Sequence, residues 1–157
     1  MGIVAMWIYA LFFASKESVN RIGDRTWQKQ AESICASADR ERADLADLRR
    51  VDEAGPNALA ERAVIVDKAT DTLERAIDKI AALPVADDKG SAIVPLWIAD
   101  YRTYIADRRA YADDLRAGIN KPFAETQAEG IPISEKVSTF AADNLMTSCV
   151  APIDLSV

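Results

Sequence analysis

Ile98-Ala99-Asp100-Tyr101-Arg102-Thr103-Tyr104 is followed at once by Ile105-Ala106-Asp107-Arg108-Arg109-Ala110-Tyr111. This seven-residue echo is the stretch from which the fold is read. Seven residues are about two turns of an α-helix, so the repeat stacks like on like along one face. Ile98, Ile105 and Ala112 form one row, with Trp97, Tyr104, Tyr111 and Leu115 adjoining it, while Asp100, Asp107 and Asp114 recur on a polar side. The pattern predicts a long helix over about 91–117, with Ser91 as cap, Pro95 in the first turn and Gly118 just past the end. The tyrosine row fits core packing with hydroxyls at the rim, and it also fits the wall of a ligand site.

The flanking segments carry the same period. Leu59, Ala63, Val66, Thr70, Leu73, Ile77 and Ile80 follow steps of four and three, which predicts a helix over about 56–83 packed nearly parallel or antiparallel to its neighbour. Residues 15–51 contain no proline and one glycine, and small or apolar residues recur at Val19, Ile22, Trp27, Ala31, Ile34, Cys35, Ala38, Leu45 and Leu48. These spacings predict one helix face, ended by Gly55-Pro56. Residues 118–133 have no sustained period and read as a long loop, a length that is often functional. A short helix capped by Ser134 follows, with Val137, Phe140, Ala141 and Leu145 inward. No segment alternates long enough to predict a sheet.

The first fourteen residues, MGIVAMWIYALFFA, contain no charge and are apolar on every face. A bilayer span takes roughly 20 apolar residues, so the run reads as a transmembrane helix about six residues short, entered partway by this sequence. Trp7, Tyr9, Phe12 and Phe13 fall toward Lys16, where aromatic rings meet head groups. No helix breaker stands between Phe13 and Ser18, so the sequence lets the anchor run straight into the first helix of the domain. The expected organisation is a membrane segment at 1–14 and one helical domain at 15–157, which is ordinary single-domain length. The fold class expected is all-α: the anchor helix continuing into an antiparallel bundle of three long helices and one short one.

Two cysteines, Cys35 and Cys149, lie almost a domain apart. An even count in a chain leaving a membrane predicts a disulfide and an extracytoplasmic domain. That argument outweighs Lys16, Arg21, Arg25 and Lys29, whose position beside the apolar run favours the reverse topology.

The chemistry missing from the chain narrows its function. There is no histidine, which removes the usual general base, the commonest zinc ligand and the Glu-x-x-His pairs of di-iron bundles. The six glycines cannot build a Gly-x-Gly-x-x-Gly or a phosphate-cradling loop. Asp87-Asp88 and Asp113-Asp114 are adjacent acids without calcium-loop spacing. A net charge of −6 does not suit nucleic acid, which requires a basic face. No catalytic, cofactor or metal residues are therefore expected, and the chain is read as a non-enzyme.

Three segments, YALFFASKESVNR (9–21), PLWIADYRTYIADRRAYADDL (95–115) and GIPISEK (130–136), carry a family likeness. The chain resembles small actinobacterial, especially mycobacterial, single-pass membrane proteins, among them an accessory subunit of Mce-type lipid importers of the cell envelope. The resemblance implies an exported helical domain that works within a complex of membrane-protein subunits. It supplies no site residues. From the sequence itself, the side chains left over for the bilayer and for partners are Trp7, Tyr9, Phe12 and Phe13 in the anchor, Phe123 and Ile131 in the loop, and Ile153 and Leu155 in the tail. The competing expectation is a ligand-binding module in which the aromatic face of the third helix and the 118–133 loop line an apolar pocket.

Overall fold

The computed structural model describes residues 18–45 and 55–155. The stretch expected to be an anchor, with Trp7, Tyr9, Phe12 and Phe13, lies outside the described residues, and among those described no helix is long and apolar enough to cross a membrane. Among the described residues four α-helices make up most of the fold: α1 (Arg25–Ala43), α2 (Ala58–Ala81), α3 (Asp88–Arg116) and α4 (Ile133–Asp143). A two-stranded hairpin, β1 (Gln127–Ala128) and β2 (Ile131–Pro132), precedes α4, and a 3-10 turn at Thr147–Cys149 follows it.

The helices alternate in direction. Asp24 reaches Ala86 while Glu41 reaches Thr72, which sets α1 antiparallel to α2. Arg102 pairs with Asp78 and Arg109 with Asp67, so α3 runs antiparallel to α2. The Trp97 indole donates to the Val137 carbonyl at 3.1 Å and Lys136 pairs with Asp100, which brings α4 back along α3. The spacings in α2 and α3 place the core as expected: Ala63, Val66, Thr70, Leu73, Ile77 and Ile80 are buried on one side, and Trp97, Ile98, Tyr104, Ile105, Tyr111, Ala112 and Leu115 on the other. Trp97 is the hub of the aromatic packing, stacked on Phe140 at 5.1 Å and edge-on to Trp27 and Tyr101.

The first helix departs from expectation. It starts at Arg25, with residues 18–24 in turns, so no helix runs through this segment into the domain. The reason is tertiary. The backbone N–H of Ile22 donates to the Asn144 side chain at 2.9 Å, and those of Gly23 and Asp24 donate to Asp87. Groups that would have served a helical ladder are thereby taken up across the fold. Asp24 becomes the N-cap, one carboxylate oxygen accepting from Trp27 N and the other from Ala86 N at 2.8 Å.

These backbone hydrogen bonds, chiefly those from Trp27 and Ala86, hold the Asp24 carboxyl below its ordinary pKa of 3.8. A depressed folded-state pKa contributes stability above the ordinary value, and that stability is lost as pH falls through the lower folded one. Asp24→Asn keeps a competent cap but leaves one acceptor oxygen where Trp27 N and Ala86 N each had one, so it is expected to cost about 1 kcal/mol at neutral pH, the usual worth of one hydrogen bond. It should also flatten the acid limb of the unfolding midpoint against pH, which denaturant titrations at stepped pH would read.

Further corrections concern how helices start and end. Asp87, not Ser91, caps α3 by accepting from Gly90 N at 2.9 Å, so the Asp88-Lys89-Gly90 stretch is helical and Pro95 lies inside the helix. Ser91 O then has no proline N–H to receive, a loss the long α2 contact outweighs. Helix α4 is capped from outside: Ser134 donates its N–H and its hydroxyl to the Glu125 carboxylate at 2.7 and 2.9 Å. The long loop contains the hairpin, whose two central residues, Glu129 and Gly130, both have positive φ, as a type I′ turn requires. Leu145, expected inward, is 64% exposed, and the buried residues at that end are Asn144 and Met146.

Candidate functional site

The aromatic face of α3 is closed by two segments of the chain. The tail crosses it first. Tyr101 donates its hydroxyl to the Val150 carbonyl at 3.3 Å, and Tyr104 donates to the Pro152 carbonyl at 2.6 Å. Burial raises the pKa of both phenols, so they remain donors throughout the physiological range. Beside them Arg108 is fully buried. Its guanidinium donates to both oxygens of Asp154 at 2.5 and 3.1 Å and to Thr70 Oγ1 at 3.0 Å, and it lies 5.8 Å from the Tyr104 ring centre. Burial alone would lower the Arg108 pKa, but the hydrogen bonds and charge of Asp154 more than reverse this and raise it.

The second cover is the loop between α3 and α4, and the aspartate row explains its path. Lys121 pairs with Asp114 at 2.8 Å, Thr126 donates its N–H and hydroxyl to Asp107 at 2.7 and 2.9 Å, and Lys136 pairs with Asp100 at 3.4 Å. Going up the loop is going back along α3 by sevens. The echo therefore has two uses, one row of side chains for the core and one row of carboxylates to hold the returning chain. Phe123 completes the closure, set edge-on to Tyr104 at 5.9 Å and Tyr111 at 5.7 Å.

These contacts decide where the residues expected to face partners lie. Phe123 and Leu155 are packed against the cluster of Ala63, Val66, Tyr111, Ala112 and Leu115, because that face had room for further apolar area. Both are partly buried, whereas Ile131 at 41% and Ile153 at 86% are exposed. Cys35 and Cys149 are joined, with Cα atoms 5.2 Å apart, and the bond ties the 3-10 turn to the middle of α1. Glu32, one turn before Cys35, accepts from Ser148 N at 2.9 Å and from the Ser148 hydroxyl at 2.7 Å, so the same junction is held by polar contacts.

A second buried polar centre went unread in the sequence. Asn144 is fully buried and all four of its hydrogen-bonding positions are used: Oδ1 accepts from Ile22 N and Gln28 Nε2, and Nδ2 donates to the carbonyls of Asn20 and Phe140. Nothing local marks it, since asparagine just after a helix is also ordinary surface chemistry. Arg108 did leave a signal. The echo aligns it with Tyr101, a core position, so an arginine in that register needs a buried partner.

A groove of about 510 Å³ runs between α2 and α3, floored by Ile77 and Ile105 and walled by Glu74, Asp78, Arg102, Arg109 and Asp113. Its charges are engaged with each other. Arg109 donates to Asp71 at 2.5 Å and Glu74 at 2.9 Å, and Arg102 to Asp78 at 3.2 Å. It offers neither an apolar pocket for a lipid nor an unengaged nucleophile. No family model, curated protein or solved structure matches the chain.

Proposed function

We propose that the chain is a non-enzymatic accessory subunit of a cell-envelope membrane complex, of the Mce-type lipid-importer kind that its sequence resembles. In this reading the apolar run at 1–14 is a single transmembrane helix and the bundle is exported. The observation that carries it is the Cys35–Cys149 bond, which closes 114 residues of chain and is of the kind that persists in oxidising compartments. Supporting it, Tyr101, Tyr104 and Arg108 of α3 hold the tail, and Asn144 holds the entry segment. That is the economy of a scaffold. A ligand-binding module would need the Trp97 to Tyr111 face open, and Phe123 and the tail cover it. Partner contact falls to the anchor aromatics Trp7, Tyr9, Phe12 and Phe13, with Ile131 and Ile153 as the exposed contributors from the domain.

Topology tests the reading. Gly90 does not accept a side chain, because a Cβ there would lie 2.6 Å from Val85. The exposed Ser91 is the better reporter. Ser91→Cys is expected to react with a membrane-impermeant maleimide in intact cells, while Cys35 and Cys149 stay unreactive until reduced. Protection of Ser91→Cys until the cells are lysed would place the domain on the cytoplasmic side and sink the proposal.

A further inference from the structure

Leu145 occupies a position the fold would fill more cheaply with glycine. Helix α4 ends in a paired turn in which Met146 N donates to the Ala141 carbonyl at 2.8 Å and Leu145 N to the Ala142 carbonyl at 3.1 Å. Such an ending puts the residue after the cap in the left-handed region, and Leu145 has φ +60°. Only glycine, and to a lesser degree asparagine, takes that conformation without strain. The leucine gains nothing from the core in exchange, since its side chain is exposed and Met146 fills the interior. A bulky apolar residue that is both strained and in water is accounted for by something outside the described fold.

Val19, 83% exposed, is carried on the adjoining backbone. Four hydrogen bonds stitch the two segments together: Ser18 Oγ and Asn20 Nδ2 donate to Asp143, Ile22 N donates to Asn144, and Asn144 Nδ2 donates to the Asn20 carbonyl. Both exposed apolar side chains thus belong to one firmly held end of the domain.

The sequence says what lies beyond that end. Val19 is five residues past Ala14, the last residue of the uncharged run. Even fully extended, those five residues reach only about 17 Å. The charges about the pair are mixed: Lys16, Glu17 and Arg21 flank Val19 in the chain, the Lys89 ammonium lies 3.4 Å from the Ser18 carbonyl, and the Asp143 carboxylate accepts from Ser18 and Asn20. Two apolar side chains fall far short of the roughly 800 Å² per partner that a stable protein interface buries. A lipid head-group layer, itself carrying charges of both signs, accepts single apolar side chains among mixed charges without a matching surface.

We infer that Val19 and Leu145 form a lipid-contacting rim that seats this end of the domain in the head-group layer of a bilayer. The inference rests on the membrane anchor of the proposed function. Its test therefore reads anchor and rim separately. The full chain is reconstituted into vesicles of phosphatidylcholine and phosphatidylglycerol, with and without lipids brominated near the head group. Trp7 reports the anchor in the native chain. Leu145→Trp and Val19→Trp, each in a Trp7→Phe background, report the rim, over the constant emission of the buried Trp27 and Trp97. Two reporters keep the test alive if one variant does not fold.

Rim tryptophans are expected to lose emission to brominated lipid, since tryptophan at the head-group level meets the bromines there. Leu145→Gly together with Val19→Ser should leave the unfolding midpoint unchanged or higher, because the strain at residue 145 is relieved. Quenching of Trp7 with no quenching at 19 or 145 would overturn the rim and leave the anchor standing. Failure to quench Trp7 would remove both. Rim emission that is blue-shifted but unquenched would mean that protein covers the rim, which also overturns the inference.

Discussion

Asp154→Ala, a change three residues before Val157, is expected to destabilise the domain by about 2–3 kcal/mol, more than removal of the arginine it binds. The Arg108 guanidinium has no exposure, cannot shed its proton, and is held by two Asp154 oxygens at 2.5 and 3.1 Å. Taking away one partner of a buried pair typically costs 3–5 kcal/mol, because a desolvated charge is left behind. The Asp154 side chain is 34% exposed, so water can screen part of the loss, which sets the lower figure. Arg108→Met leaves Asp154 free to hydrate and keeps most of the packed stem, so it should cost under about 1 kcal/mol. Thermal unfolding would show the asymmetry as a drop of roughly 5–10 °C for Asp154→Ala and a small one for Arg108→Met. Equal losses, or the reverse order, would mean that the guanidinium is not buried as described.

Replacing both cysteines by alanine is expected to have the largest effect. The bond spans 114 residues, and closing a loop of that size is worth about 4–5 kcal/mol on the chain-entropy model. Total stabilities of such domains are about 5–15 kcal/mol, so the cysteine-free chain should be marginal. The remaining hold on the 3-10 turn would be Glu32 on Thr147 and Ser148, partly exposed hydrogen bonds of modest worth. Hydrogen exchange should show protection lost first at residues 147–155 and then along α1. A double variant with an unchanged midpoint would show that the cross-link contributes nothing.

The helical repeats of α2 and α3 were legible because burial of one face is a local instruction, written every three or four residues. Helix ends were less so, since their caps arrive from elsewhere: Glu125 on α4, and Asn144 and Asp87 on the residues before Arg25. Those partners cannot be guessed before the fold is known. The same holds for Phe123, whose exposure depended on whether Tyr104 and Tyr111 offered a gap. The cysteine pairing was legible because only one pairing exists. Arg108 and Leu145 were legible only in hindsight, one as a charge in a core register and the other as a leucine where a helix turns left-handed.

Purification of the tagged full chain from native membranes in mild detergent tests the proposed role most directly. The account predicts that the chain elutes with other membrane subunits, those of a lipid importer among them, its two cysteines unreactive until reduced. Elution as a lone monomer, with no membrane subunit retained, would contradict it.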